Sequence, residues 1–317
     1  MARQVLVRLA IFALSLVAAS FLIFLITQEL PGDAAAVILG HGATPEQLAA
    51  KRAELGTDRP FRVQYTEWLV GMATGDFGRS WFSKLPIATL VAPRVEVTAS
   101  LVVGGLALAV LIALPLGAVA ALKRRQWPGL LTSAAAQVGM AIPGFWAGNL
   151  LVFVFGVLLR WLPANGYVPI GRDPARWASH LVLPVVALGV VQAAVLVRYV
   201  RSAFLEVLAE DHYRTARSIG WTKWRALARH GVRNAALSLV TVLGLQLASV
   251  IVGAVVIERV FVLPGLGSLL LDAVATGDLV IVRGITMLLV FSVLLINAVV
   301  DISYVFIDPR LRARESS

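Results

Sequence analysis

Chemistry has few places to reside in this chain. The 317 residues include four histidines and no cysteine. Without cysteine, disulfides, thiolate catalysis, Cys-type zinc and iron–sulfur ligation are excluded. His41, His180, His212 and His230 are scattered and form no His-Glu-x-x-His pair, so no metal site is expected. None of Lys51, Lys84, Lys123 or Lys223 follows a glycine, as the phosphate-binding P-loop requires. A Gly-x-Ser-x-Gly nucleophile elbow is also absent. No catalytic residue is assigned. The chain reads as no enzyme in itself, with no cofactor of its own.

Two other sets of residues can do work. Asn149, Gln192, Gln246 and Asn297 are amides set in apolar stretches. An amide in hydrocarbon must find a partner, because an unsatisfied polar group there costs several kcal/mol. The set fits interhelical hydrogen bonding. It also fits the wall of a wet pathway that bonds peptide-like groups without choosing a side chain. The second set is the run Glu210 to Gly220, which mixes acids, a tyrosine and arginines.

The elements that position these residues are apolar helices. Hydrophobic residues make up 59% of the chain and charged residues 15%, with a mean hydropathy of +0.83. Soluble domains are nearer a quarter charged. Intervals between charges long enough for a span of ~20 residues predict helices near 9–30, 99–122, 133–158, 180–203, 236–258 and 284–307. The fold class is therefore an all-α membrane protein with six transmembrane helices. The first apolar stretch exceeds the 7–15 residues of a signal-peptide core, so it reads as a retained span.

The formal charge of +10 follows the same layout. With the N-terminus in the cytoplasm, the inner segments carry Arg3 and Arg8, Lys123-Arg124-Arg125, the bases from Arg198 to Arg233, and Arg310, Arg312 and Arg314. The outer loop 31–98 is balanced. This is the positive-inside pattern, so the basic excess reports topology and gives no footprint for nucleic acid.

Between the spans, the chain divides into the first span (1–30), an extracytoplasmic loop (31–98), a five-helix core (99–307) and a cytoplasmic tail (308–317). In the outer loop, Thr44-Pro45-Glu46-Gln47 has the form of a capping box, with Gly56 as a stop. Tyr65, Trp68, Leu69 and Met72 line one face of a second helix after Asp58. Ala109, Ala113, Gly117 and Ala121 recur every four residues, a spacing that allows close helix packing. The inner segment 204–235 reads as helix–turn–helix. Leu205, Leu208, Ala216 and Ile219 mark its apolar stripe, and Gly220 marks the turn. On pattern alone it suits either a coupling hairpin or a basic amphipathic hairpin lying on anionic lipid.

The run Glu210-Asp211-His212-Tyr213-Arg214-Thr215-Ala216-Arg217-Ser218-Ile219-Gly220, continued by His230-Gly231-Val232-Arg233-Asn234-Ala235, resembles the EAA loop of permease subunits in binding-protein-dependent ABC importers. Other motifs are similar to the dipeptide/oligopeptide/nickel branch. They are Leu30-Pro31-Gly32-Asp33, Gly75-Asp76-Phe77-Gly78-Arg79-Ser80, Ile142-Pro143-Gly144-Phe145-Trp146 and Leu162-Pro163-Ala164-Asn165-Gly166-Tyr167. Glu258-Arg259-Val260-Phe261, Pro264-Gly265-Leu266-Gly267 and Asp308-Pro309-Arg310 complete the set. The ordered set covers essentially the whole chain, and the long outer loop is similar to the B-type partner of the paired permeases. The chain departs from the general family pattern at Arg214 and Thr215, where Glu and Ala are usual, and at Ser238, where many relatives have proline.

The resemblance implies a type I ABC importer transmembrane fold in a prokaryotic cell membrane, with both termini cytoplasmic. It implies a second, homologous permease, two cytoplasmic ABC ATPases or a fused pair, an extracytoplasmic binding protein and surrounding lipid as partners. ATP and Mg would sit on the ATPases. Glu210, Tyr213, Arg214, Thr215, Ala216, Arg217 and Gly220 would couple to the ATPase. Val262, Leu263, Pro264, Leu266 and Leu269 would form an outer gate against the second permease. Dipeptides and oligopeptides are the implied cargo, with nickel or glutathione as alternatives. An ion-coupled secondary transporter or channel is the rival from another class. It leaves the ordered motifs unexplained, and only Glu29 and Asp301 offer carboxylates within the spans. A structural scaffold is a further rival.

Overall fold

The computed structural model describes the backbone of residues 2–29, 34–40 and 42–307. The first helix, α1 (Ala2–Glu29), is followed by α2 (Ala34–Leu39), α3 (Pro45–Leu55), α4 (Phe61–Thr74) and α5 (Ile87–Leu122). Next come α6 (Trp127–Ala141), α7 (Gly144–Leu151) with a π-helical continuation Val152–Leu158, α8 (Pro174–Ala209), α9 (Asp211–Ser218) and α10 (Lys223–Ala226). A π-helical turn, Leu227–Gly231, then leads into α11 (Val232–Val260), α12 (Leu266–Thr276) and α13 (Leu279–Ile307). The motifs Leu30-Pro31-Gly32-Asp33 and Asp308-Pro309-Arg310, the tail 308–317 and the side chain of Ser238 lie outside the described residues.

Five of these helices are long and apolar enough to cross a membrane, and a sixth span results if the bent pair α6–α7 counts as one. That pair departs from the straight helix expected over 133–158. Its limbs meet at 98°. Ile142 precedes Pro143 and is held extended at φ −82° and ψ 120°, since proline disfavours the helical conformation in the residue before it. Helix α5 begins at Ile87, well before the expected residue 99, and α13 begins at Leu279 rather than 284. Both extensions carry charges that masked them as loop, Arg94 and Glu96 in α5 and Arg283 in α13.

The chain forms two compact units, residues 1–97 with 265–317, and residues 98–264. In the first unit α1 packs along α13. Arg8 pairs with Asp301 at 2.7 Å across these two helices, so that carboxylate has a structural partner. Arg283 is only 8% exposed. It donates from Nε to Thr27 Oγ1 at 2.7 Å and from Nη2 to Gln28 Oε1 at 3.0 Å. Its guanidinium lies 4.1 Å from the Phe24 ring centre, an arrangement that offsets the cost of a buried cation.

The outer-loop helices belong to the same unit. Thr44 caps α3 reciprocally, donating its N–H to Gln47 Oε1 at 2.9 Å and accepting from the Gln47 N–H at 3.3 Å. Helix α4 turns Tyr65 and Trp68 onto α1, where they cluster with Phe21, Phe24 and Phe61 at ring separations of 5.2–6.4 Å. Leu69 and Met72 are half-buried on the same face, as the spacing predicts.

In the second unit, α8 packs against α6, α7 and α11. The four-residue repeat of α5 is a buried seam, with Ala109 and Ala113 at 0% and Ala121 at 1% exposure. A Cβ at Gly117 would meet Val200 at 2.4 Å, so only glycine lets α8 approach there.

Candidate functional site

The hairpin 204–235 is built on the end of α8. The chain breaks at Glu210, which is extended, and α9 follows. Tyr213 (7% exposed) and Ala216 (5%) turn inward and join the core cluster of α5 and α8. Burial pushes the Tyr213 phenol above its ordinary pKa, against the opposing pull of Arg217. Tyr213 and Ala216 therefore fix α9 to the bundle. The outward face consists of Arg214, Thr215, Arg217, Ser218 and Ile219. Ile219 is 69% exposed, so it leaves the apolar stripe in which spacing had grouped it.

A defined turn closes α9. Gly220 has φ +92°. Its N–H donates to the Arg217 carbonyl at 3.2 Å, and the Trp221 N–H donates to the Ala216 carbonyl at 3.1 Å. These two bonds make a Schellman cap, whose left-handed residue is ordinarily glycine. Arg217 Nη1 donates to the Trp221 carbonyl, and the Arg225 guanidinium lies 4.8 Å from the Trp221 ring centre. Thr222 Oγ1 accepts from the Arg225 N–H at 3.2 Å and starts α10. The second limb then runs through the π turn directly into α11.

The segment after α11 ends in a similar cap with an unusual residue. The Leu263 N–H donates to the Glu258 carbonyl at 2.8 Å, and Val262 takes the left-handed position at φ +53°. A β-branched residue in that region is strained. Val262 is nonetheless 65% exposed, between Phe261 at 1% and Leu263 at 2%. Pro264 is also exposed. Leu266 is 4% exposed and packs with Ile87, Ala273, Ile281, Val282 and Ile285, while half-buried Leu269 sits against that cluster. Of the five residues assigned to an outer gate, Val262 and Pro264 alone present open surface.

Three buried polar contacts lay beyond the reach of sequence reasoning. Ser80 Oγ donates to Asp278 Oδ2 at 2.6 Å, and both residues are 2% exposed. This ties the Gly75–Ser80 motif to the start of α13. Thr98 Oγ1 donates to Glu258 Oε1 at 2.5 Å, with Glu258 fully buried. Arg283, described above, is the third. The signal present in the sequence was charge or hydroxyl inside apolar context, without any indication of its partner.

The amides divide between the units. Asn149 on α7 is exposed, Gln246 on α11 half-buried, and Gln192 on α8 only 8% exposed, all in the second unit. Asn297 is half-buried on α13 in the first. Phe145 and Trp146, at 51% and 50% exposure, flank the α6–α7 break. Irregular backbone at membrane depth is tolerated only against protein or a water-filled cavity.

Five apolar helices and the bent pair α6–α7 are thus joined by a short-helix hairpin between α8 and α11, and comparison with known proteins identifies the family. The family described as binding-protein-dependent transport system inner membrane component matches residues 113–313, and its N-terminal companion matches residues 1–102. This chain belongs to that family. It is a multi-pass inner-membrane permease subunit of a binding-protein-dependent ABC importer. The permease is 41% identical over 293 residues to a putative peptide transport system permease protein of Brucella abortus, covering 92% of this chain and 93% of that one. It is 38% identical over 290 residues to a probable peptide ABC transporter permease protein of Sinorhizobium fredii, with the same coverage. It is also 38% identical over 312 residues to the glutathione transport system permease protein GsiC of Salmonella typhimurium, covering 98% and 99%.

Proposed function

We propose that this permease forms half of the pathway by which an ATP-driven importer takes up dipeptides or oligopeptides. A second, homologous permease encloses the other half. Two cytoplasmic ATPases, separate or fused, bind and hydrolyse ATP with Mg, and an extracytoplasmic binding protein delivers the peptide. The permease itself performs no covalent chemistry and holds no cofactor. Both of its termini face the cytoplasm.

The observation that carries this reading is the hairpin α9–α10. Its inner face is locked by Tyr213 and Ala216, and its outer face of Arg214, Thr215, Arg217 and Ser218 is exposed. A rigid element with an exposed cationic face suits docking into an ATPase, whose ATP-driven closure then moves α8 and α11 together. ATP and the loaded binding protein each favour one state of the pathway, and so shift its equilibrium. At the outer mouth, Val262 and Pro264 meet the second permease and close the pathway between transport events. Asn149 and Gln246 offer amide contacts along the wall.

The glutathione relative supports a second reading, since it spans nearly the whole chain at an identity similar to that of the peptide relatives. Nickel, carried by other members of the branch, is a third. Competition decides among the three. Proteoliposomes containing the complete importer take up a labelled dipeptide, and unlabelled tripeptide, glutathione or nickel is added outside. Peptide competition supports the main reading, and competition only by glutathione or nickel refutes it.

A further inference from the structure

At the root of the hairpin lies a cavity of about 370 Å³. Leu122, Leu205 and Leu208 form its apolar part, and Arg124, Arg214 and Lys223 reach it from three different elements. Its lining contains no carboxylate. Arg214 has Asp211 at 3.7 Å, on the solvent side where that acid is 99% exposed. Arg124 and Lys223 have no acid partner among the described residues. Three cations around one concave space repel one another unless an anion joins them.

The depth of the cavity narrows the class of anion. It sits at the cytoplasmic ends of α5 and α8, beside the turn Lys123-Arg124-Arg125. Trp127, 72% exposed, and Trp224, 47% exposed, are close by in sequence to its rim. Exposed tryptophans mark the level of lipid headgroups. Further into the span, α5, α6 and α8 frame a second space of about 370 Å³ lined by apolar and small residues, including Leu116, Leu131, Ala135, Val190 and Val197. On α8, Val190, Val197, Arg201, Leu205 and Leu208 share one helical face by spacing. Arg201 thus stands between the apolar space and the basic one. Its Nε is buried and has no hydrogen-bond partner, and a buried donor without an acceptor costs about 1–3 kcal/mol.

We propose that this basic cavity binds the phosphate of an anionic phospholipid from the cytoplasmic leaflet, with an acyl chain in the apolar space along α8. The lipid phosphate bridges Arg124, Lys223 and Arg214 and so braces the hairpin against the bundle. The inference rests on the cytoplasmic position of the hairpin, which thiol labelling tests independently.

The test uses the purified importer in nanodiscs, either purely phosphatidylcholine or doped with phosphatidylglycerol, and native mass spectrometry after detergent exchange. Parent complex retains phosphatidylglycerol in preference to phosphatidylcholine. The double variant Arg124→Gln, Lys223→Gln retains it about 25-fold more weakly, at roughly one factor of five for each basic residue near the surface. The charge-conserving pair Arg124→Lys, Lys223→Arg restores retention, which separates binding from folding. Arg125→Gln, on the same turn but outside the cavity lining, keeps it. Equal loss in Arg125→Gln would assign the effect to general surface charge and overturn the proposal. So would equal retention in the double variant. Inorganic phosphate that displaces the lipid at low millimolar levels would point to a soluble ligand, and loss of ATPase assembly with unchanged lipid retention would point to an acidic side chain of the ATPase. Either result contradicts the lipid assignment.

Discussion

Gly220 isolates the coupling claim from packing, because a Cβ added there would meet nothing within 4 Å. Any effect of substitution must come from the backbone, held at φ +92°. An L-residue in the left-handed region costs roughly 1–2 kcal/mol, and a β-branched one about 3 kcal/mol. Each 1.4 kcal/mol is about a tenfold change in an equilibrium. Gly220→Ala should thus raise the population of misformed hairpin about tenfold and Gly220→Val more than a hundredfold. Gly220→Asn should fall closest to the parent, since asparagine tolerates this conformation better than other side chains. The assay is peptide uptake per ATP hydrolysed in proteoliposomes of the complete importer, with complex recovery measured in parallel. The expected order is Gly, Asn, Ala, Val, with membrane insertion intact throughout. Equal coupling in Gly and Val, or Asn as poor as Val, would refute the reasoning.

Other outcomes follow from the same geometry. Val262→Gly should relieve the strained cap and stabilise the permease by up to about 1 kcal/mol after the entropy cost of glycine, while raising ATP hydrolysis in the absence of binding protein; a lower melting temperature would contradict it. Ser80→Ala leaves buried Asp278 without its 2.6 Å donor, so the melting temperature of the solubilised complex should fall by the equivalent of about 1.5–3 kcal/mol, and no change would show that contact to be inert. Leu266→Asp buries a charge in the cluster around Ile285, so recovery of folded permease should collapse; a folded complex with raised basal ATP hydrolysis would return Leu266 to the gate. In a chain without natural cysteine, Ala50→Cys should react with an impermeant thiol reagent outside intact cells and Arg125→Cys should not, and equal labelling would overturn the topology.

What the sequence displayed depends on whether the cause is local. The cap at Thr44 and Gln47 needs only four residues, and it formed as read. The apolar spans needed only their own composition. Delimiting spans by charge failed where charges are buried or carried beyond the membrane, as at Arg283, Arg94 and Glu96, because burial is decided by another helix. Pro143 carried a visible breaker signal, yet the apolar run around it hid a 98° bend. The inward turn of Tyr213 and Leu266 was not legible, since spacing assigns residues to a face without saying what covers that face. The strained turn at Val262 lacks the glycine that would have announced it.

The central claim is that this chain moves peptide only as one half of an ATP-driven pair. Purified permease, reconstituted alone or with its second permease, ATPases and loaded binding protein, can be assayed for labelled dipeptide uptake with ATP inside the vesicles. The account predicts uptake only in the complete system and its loss when either permease, the ATPases, the binding protein or ATP is omitted. Uptake by this chain alone, without ATP and driven by an ion gradient, would contradict it.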